Sequence, residues 1–356
     1  DDVNRVDVHN NAFDGFVIAG MEAHAALVLR QEDPELAYKC LLAAREDYQS
    51  AQAVWRAHGI RRPARSEHTL SASQSLHDAA AAVACARLFE ATGEDVYRKE
   101  GVGWLDRMLN CQDGGETGTG LSGFFYRDER KRTIVHFCHQ SREHLFAQAL
   151  AQGLRVFGNE ERWRDALQAY GGYLKALRGY TAPYGMVPAG LFSYDELEDE
   201  ETFGLLHPYL HFEEEKKNYA QQLQNGVQLP NGYAVRCFPV WFSFRGNSAV
   251  AQSMAKSAAL AGSALGDEEL TQIGREQIYW MLGKNPFGQS MIYGEGRRFT
   301  PLYTALLGET VGEMAVGVQT QNNEDVPYWP MGNVATYREV WISAAAHFLR
   351  LAAELY

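Results

Sequence analysis

The sequence predicts an all-α toroid built from helical hairpins, and three observations carry that prediction. Apolar residues recur at helical spacing along most of the 356 residues. The helices come in pairs joined by turns of two to four residues, as antiparallel neighbours require. Between pairs the connections are long, about 58–69, 111–138, 179–246 and 283–335. If every hairpin points the same way, the short turns share one end and the long loops share the other. Loops longer than about 15 residues are unusual unless they bind something, so the loop end is the expected functional face.

The elements follow in order. A first helix is expected over 12–31, and a second to about 57, with Asp33 as N-cap and Pro34 at the first helical position. A third runs from about 70 to 91, and a fourth, with Thr92 as candidate cap, to about 110. The fifth spans about 139–157 and the sixth runs from the Gly158–Asn159 turn to 178. The seventh spans about 247–265, Gly266 and Asp267 turn the chain, and the eighth runs to 282. The last covers about 336–355, and a short extra helix is a candidate near 302–314. The acidic-then-basic run over 195–218 reads as a solvated loop. No linker of low complexity divides the chain, so 1–356 reads as one domain.

Composition narrows the function. At 46% hydrophobic the chain can bury a large core. A net charge of −12 without a basic block argues against nucleic acid or an anionic membrane as partner. No apolar run reads as a membrane span. The cysteines Cys40, Cys85, Cys111, Cys138 and Cys237 show no zinc or disulfide spacing, and neither metal nor cofactor is expected.

The long loops hold the chemistry. They carry His139 and Arg142 at the start of the fifth helix, Tyr184, Arg297 and Arg298, and then Tyr328, Trp329 and Trp341. Aromatic rings for the apolar faces of sugars, with forked polar groups for hydroxyls, suit an oligo- or polysaccharide. Glu339, where the last helix emerges, is the sharpest catalytic candidate. The residues also allow a capping box, Thr336-x-x-Glu339, and both readings stand. His136, His139 and His144 do not complete a metal site.

The stretch REQIYWMLGKNPFGQSMIYGEG resembles the C-terminal signature of glycoside hydrolase family 9, the cellulase-type (α/α)6 barrels. ATYREVWISAAAHFLRLAAEL is similar to the family's final helix, and DAAAAVACARLFEATGEDVY to its middle helix–turn. The resemblance implies inverting hydrolysis of β-linked glycans, with Glu339 as general acid. Arg338 stands where the family has Asn. The family's sugar-contacting Pro-His-His-Arg falls near Gly296–Phe299, which here reads Gly-Arg-Arg-Phe. VPYWP (326–330) has no counterpart in ordinary cellulases and suggests action from a chain end. The family's general base lies in an Asp-Ala-Gly-Asp motif that is not found here. The resemblance therefore implies that the first hairpin, the base and often a small β-sandwich would precede Asp1. It also suggests export, secreted or periplasmic, whereas unpaired cysteines suggest a reducing compartment. A polysaccharide lyase on a similar toroid, using His139, Arg142, Tyr184 and Arg298, and a non-catalytic glycan-binding protein are the alternatives.

Overall fold

A computed structural model of the chain describes residues 11–60, 73–135, 141–158, 160–206, 213–238, 246–299, 301–303, 310–330 and 338–356. Four hairpins form as the periodicity requires. They are α1 (Ala12–Leu29) with α2 (Pro34–His58), α3 (Gln74–Thr92) with α4 (Asp95–Asn110), α5 (His144–Val156) with α6 (Glu161–Arg178), and α9 (Ser248–Leu265) with α10 (Glu268–Met281). A single helix, α11 (Ile342–Leu355), ends the chain. Local chemistry sets the ends. The Asp33 carboxylate accepts from the Leu36 amide at 3.0 Å, and Asp267 caps α10 through Glu269 and Leu270. Gly93 and Gly266 take the left-handed conformation that closes α3 and α9. Thr92 is not the cap of α4; it is the last residue of α3, where its hydroxyl donates to the Leu88 carbonyl at 2.7 Å.

The hairpins are arranged as a ring. Along its inner wall α1 packs on α3, α3 on α5, α5 on α9 and α9 on α11; α2, α4, α6 and α10 lie outside. Side-chain size explains the division. In α3 every residue from Ala79 to Ala86 is buried, because a run of methyl-sized groups lets helices approach from all sides. A Cβ on Gly20 of α1 would stand 3.4 Å from the Ala84 Cα. The outer α2 buries only Ala37, Ala44, Tyr48 and Ala51. The Tyr48 hydroxyl donates to Glu100 at 2.7 Å and accepts from the Trp104 indole at 3.2 Å and the Cys85 thiol at 3.0 Å, tying α2, α3 and α4 together.

The short turns share one end. Arg98, in the first turn of α4, donates to the Phe157 carbonyl at the end of α5, and Arg155 pairs with Glu90 near the end of α3 at 2.6 Å. The last turns of α1, α5 and α9 also converge on one cavity through Leu29, Leu154 and Ala264. The opposite end holds the N-termini of the inner helices and the long loops.

Three further expectations are corrected. The acidic run is not merely a solvated loop: it holds α7 (Glu200–Leu206) and part of α8 (Glu213–Gln224), covering a small core of Phe192, Leu197, Phe203, Tyr219 and Leu223. Glu196 is fully buried there and accepts the Tyr219 hydroxyl. Beside it lies a three-stranded antiparallel sheet in the order β1 (Gly190–Ser193), β3 (Tyr233–Arg236), β2 (Val227–Leu229), with Gly190 opposite Arg236. The third, fifth and last helices begin at Gln74, His144 and Ile342, later than expected. Finally, α1 is long and apolar enough to cross a membrane by length and composition, although Phe13, Phe16, Ala19 and Ala23 on it are core residues. Cys40, Cys85, Cys111 and Cys237 are free thiols; Cys138 lies outside the described residues.

Candidate active site

The signature turn after α10 explains why that helix stops. Gly283 sits at φ 115°, a backbone conformation open to glycine. Asn285 then holds the turn with both ends of its amide. Its Nδ2 donates to the Trp280 and Gln289 carbonyls at 2.9 and 2.7 Å, while its Oδ1 accepts from the Phe287 amide at 3.1 Å. The Ser290 amide donates to the Arg298 carbonyl at 2.6 Å, anchoring the Gly-rich loop. Gln289 reaches out of the turn and accepts the Trp329 indole N–H at 3.0 Å.

Trp329 in turn supports Arg338. The guanidinium lies 4.8 Å from the indole centroid, donates through Nε to the Pro330 carbonyl at 3.1 Å and through Nη1 to the Pro301 carbonyl at 3.1 Å, and is 1% exposed. Burial lowers its pKa from the usual guanidinium value. The Arg338 carbonyl accepts from the Tyr303 amide at 2.9 Å. One continuous set of contacts thus runs from the α10 turn to the residue before Glu339.

Glu339 itself is half-buried and extended, bridged to Tyr303, with its carbonyl accepting from the Val316 amide at 2.9 Å. Val340 bridges to Ala315 on its other side. The carboxylate accepts the Trp341 indole N–H at 2.6 Å. Glu339 therefore stands ahead of α11 rather than in its first turn, with backbone and side chain both held. Thr336, the other half of the expected capping box, lies outside the described residues.

The remaining candidates separate. Trp341 is half-buried beside Glu339. Tyr184 is half-buried against the core of Met186, Trp280, Met291 and Trp329. Trp329 is 7% exposed, so it forms wall more than open platform. Arg297 and Arg298 are exposed on the Gly-rich loop, and Tyr328 is half-buried where its backbone pairs with Gln319. Arg142 lines the cavity inside the ring. His139 and His136 lie outside the described residues. Among the described residues no group of three His, Cys, Asp or Glu side chains is placed to hold a metal.

The surroundings of two residues escaped the sequence reading. The carboxylate of Asp78, fully buried at the loop end of α3, is pushed up to about 6 by burial, partly opposed by Arg107, whose Nε donates to it at 3.1 Å. The Arg107 guanidinium stands 5.5 and 5.4 Å from the Trp55 and Trp104 rings. The adjacent His77 is pushed down to about 4 by burial. His144 is the other: it faces His347 at 5.5 Å and is held neutral by burial and by Arg350, His347, Lys256 and Arg142. The partners of both come from other helices, so the local sequence carries no signal of these surroundings.

Comparison with known proteins adds the family. Residues 15–302 match the profile of glycosyl hydrolase family 9. No curated protein matches. Among solved structures, the cellulase Cel9M of C. cellulolyticum is similar at a TM-score of 0.58 and 15% identity, over 97% of this chain and 63% of that one. The same cellulase with cellobiose aligns at 0.59 over 97% and 64%. The Nasutitermes takasagoensis endoglucanase aligns at 0.56 and 14% identity, over 97% and 65%. A metagenome-derived family 9 endoglucanase aligns at 0.61 and 15%, over 99% and 54%. The chain thus spans under two thirds of the length of these structures.

Proposed function

Because the chain belongs to glycosyl hydrolase family 9, we propose that it serves hydrolysis of β-linked glucans, with Glu339 as the general acid that protonates the leaving oxygen. The observation that carries this reading is the Glu339 carboxylate, fixed by the Trp341 indole at 2.6 Å and by backbone bridges on both flanks, at the loop end of the ring. A general acid acts only if its proton is delivered in one direction, and such a clamp supplies that orientation. Trp341, Tyr184, Tyr328 and the exposed Arg297 and Arg298 are the groups we assign to the sugar, the rings for its apolar faces and the guanidinium groups for its hydroxyls.

The mechanism we infer is inverting. It needs a second carboxylate about 6.5–9.5 Å from the first, with a water between that carboxylate and the anomeric carbon. We assign that base to a carboxylate outside the described residues. The test is hydrolysis of cello-oligosaccharides by this chain alone and by a form extended upstream of Asp1, with product anomers followed by proton NMR. Glu339→Gln should lower activity by about 10²–10⁴-fold in whichever form is active. Robust hydrolysis that survives Glu339→Gln would remove the assignment, and a β-anomeric product from a β-linked substrate would remove inversion.

A further inference from the structure

A second group of aromatic and charged side chains stands at the loop end, in the sector where α2 and α4 finish and α3 begins. Its centre is the ion pair between Arg107 of α4 and Asp78 near the start of α3. Asp78 is fully buried, whereas the Arg107 side chain is 46% exposed, so the pair leads from the core to water. The contact uses Nε alone, at 3.1 Å from the carboxylate. Neither Nη of Arg107 makes a hydrogen bond among the described residues. The guanidinium is also held by rings. Its Cζ lies 5.5 Å from the Trp55 centroid and 5.4 Å from that of Trp104, and the two indoles meet edge-on at 5.9 Å. Trp104 is a core residue, but Trp55 is half-buried and keeps part of its ring for other contacts.

A buried carboxylate needs a cation, and Arg107 is that cation. Neutralising Asp78 does not by itself call for a guanidinium, because an ammonium supplies the same charge. What a guanidinium adds is a planar fork. Nε is turned back onto Asp78 and two indoles flank the plane, so Nη1 and Nη2 form an outward corner whose direction is fixed. Donors on adjacent nitrogens match the two oxygens of a carboxylate, and such charge-assisted pairs are about twice as strong as neutral ones. Of the carboxylates around Asp78, Asp128 is taken by Arg130 at 2.7 Å and Glu129 is exposed; neither closes the Arg107 fork. Beside that fork, the indole of Trp55 offers the apolar surface on which a pyranose face packs.

We propose that Arg107 and Trp55 form a subsite for a carboxylated sugar, a hexuronate residue of a β-linked glycan, with its pyranose face on Trp55 and its carboxylate on Nη1 and Nη2 of Arg107. Asp78 is a positioning residue: it does not touch the sugar but sets the direction of the guanidinium. That the ligand is a glycan rests on the reading of the loop end given above. That it carries a carboxylate rests on Arg107 alone.

The test titrates the whole chain with a β-linked glucuronic acid tetrasaccharide and with cellotetraose, by isothermal calorimetry at low salt. The acidic sugar should bind about tenfold tighter or more. Arg107→Gln should remove that preference while changing cellotetraose affinity much less. Because this variant strips Asp78 of its partner, Asp78→Asn/Arg107→Gln, which leaves no charge to bury, is measured beside it, with the fold checked by circular dichroism. The double variant should show the same loss. Trp55→Ala should weaken the acidic sugar as well. No binding of the acidic sugar, equal affinity for the two sugars, or a preference that survives both Arg107 variants would overturn the proposal. Displacement by equimolar sodium sulfate would show a bare anion site in which the sugar ring has no part, and would also overturn it. Binding of the acidic sugar through Arg107 with no binding of cellotetraose would support this subsite and count against glucan as the substrate.

Discussion

Replacing Arg338 with Met keeps an apolar stem of similar reach and removes every donor. The Pro330 and Pro301 carbonyls, each bonded to the guanidinium at 3.1 Å, then lose their partner in a site that is 1% exposed. A buried acceptor left unsatisfied costs about 1–3 kcal/mol, which applies in part to half-buried Pro330 and little to Pro301, where water can replace the lost donor. Losing the cation over Trp329, at 4.8 Å, adds about 0.5–2 kcal/mol. Release of a desolvated charge offsets part of this, so the expected loss is about 1–4 kcal/mol, a sizeable share of the roughly 5–15 kcal/mol of a whole domain. Urea unfolding followed by tryptophan fluorescence reads it directly. Arg338→Lys should fall between, since one ammonium keeps the charge over Trp329 but does not span both carbonyls. If Arg338→Met unfolds within 0.5 kcal/mol of the parent, the chain of contacts from the α10 turn does not bear on Glu339, and the account of that turn is wrong.

Glu339→Gln should lower glycan hydrolysis by about 10²–10⁴-fold in the active form, with stability nearly unchanged because the amide oxygen still accepts from Trp341. Trp341→Phe keeps the ring but removes that donor; kcat should fall about tenfold or more, and an unchanged kcat would show that the indole does not orient the acid. The folded chain holds the Asp78 proton more tightly than an unfolded chain, with pKa about 6 against 3.8. Stability tied to this group is therefore present below about pH 4 and is lost as pH rises to about 6, by about 3 kcal/mol at most. Asp78→Asn should remove that decline in a comparison of unfolding curves at pH 4 and pH 6.5. Gly123→Ala should cost about 2–4 kcal/mol, because the position has φ 88° and a Cβ there would stand 2.4 Å from the Ala169 carbonyl oxygen.

The hairpins were legible because each carries its signal locally. Asp33–Pro34, Gly93 and Gly266–Asp267 fix the turns within a few residues, and the 3.6-residue period fixes the faces. The segment from 190 to 236 was not, because its order is non-local. β1 and β3 pair across about 40 residues, and the partner that Tyr219 gives Glu196 in the core arrives from another helix. At the candidate site, Glu339 was found through a motif, whereas the role of its neighbours was hidden. Arg338 is an ordinary surface residue type, and nothing in its surroundings along the chain announces that two proline carbonyls and an indole enclose it. Asp78 was missed for a similar reason: its environment is supplied by Arg107, which lies a helix away.

The alanine-rich wall of α3 has a consequence for how such a chain can diverge. A helix with one face in water accepts almost any polar residue there, so its sequence drifts freely. From Ala79 to Ala86 no face is available, and beside Ala84 a Cβ on Gly20 of α1 would already stand 3.4 Å from the Ala84 Cα. Substitution along this stretch is confined to residues of nearly equal volume, whatever happens elsewhere in the ring. This chain superposes over 97% of its own length on a cellulase with which it shares 15% identity; packing of this kind restricts the volume at each inner position and leaves the letter free within it.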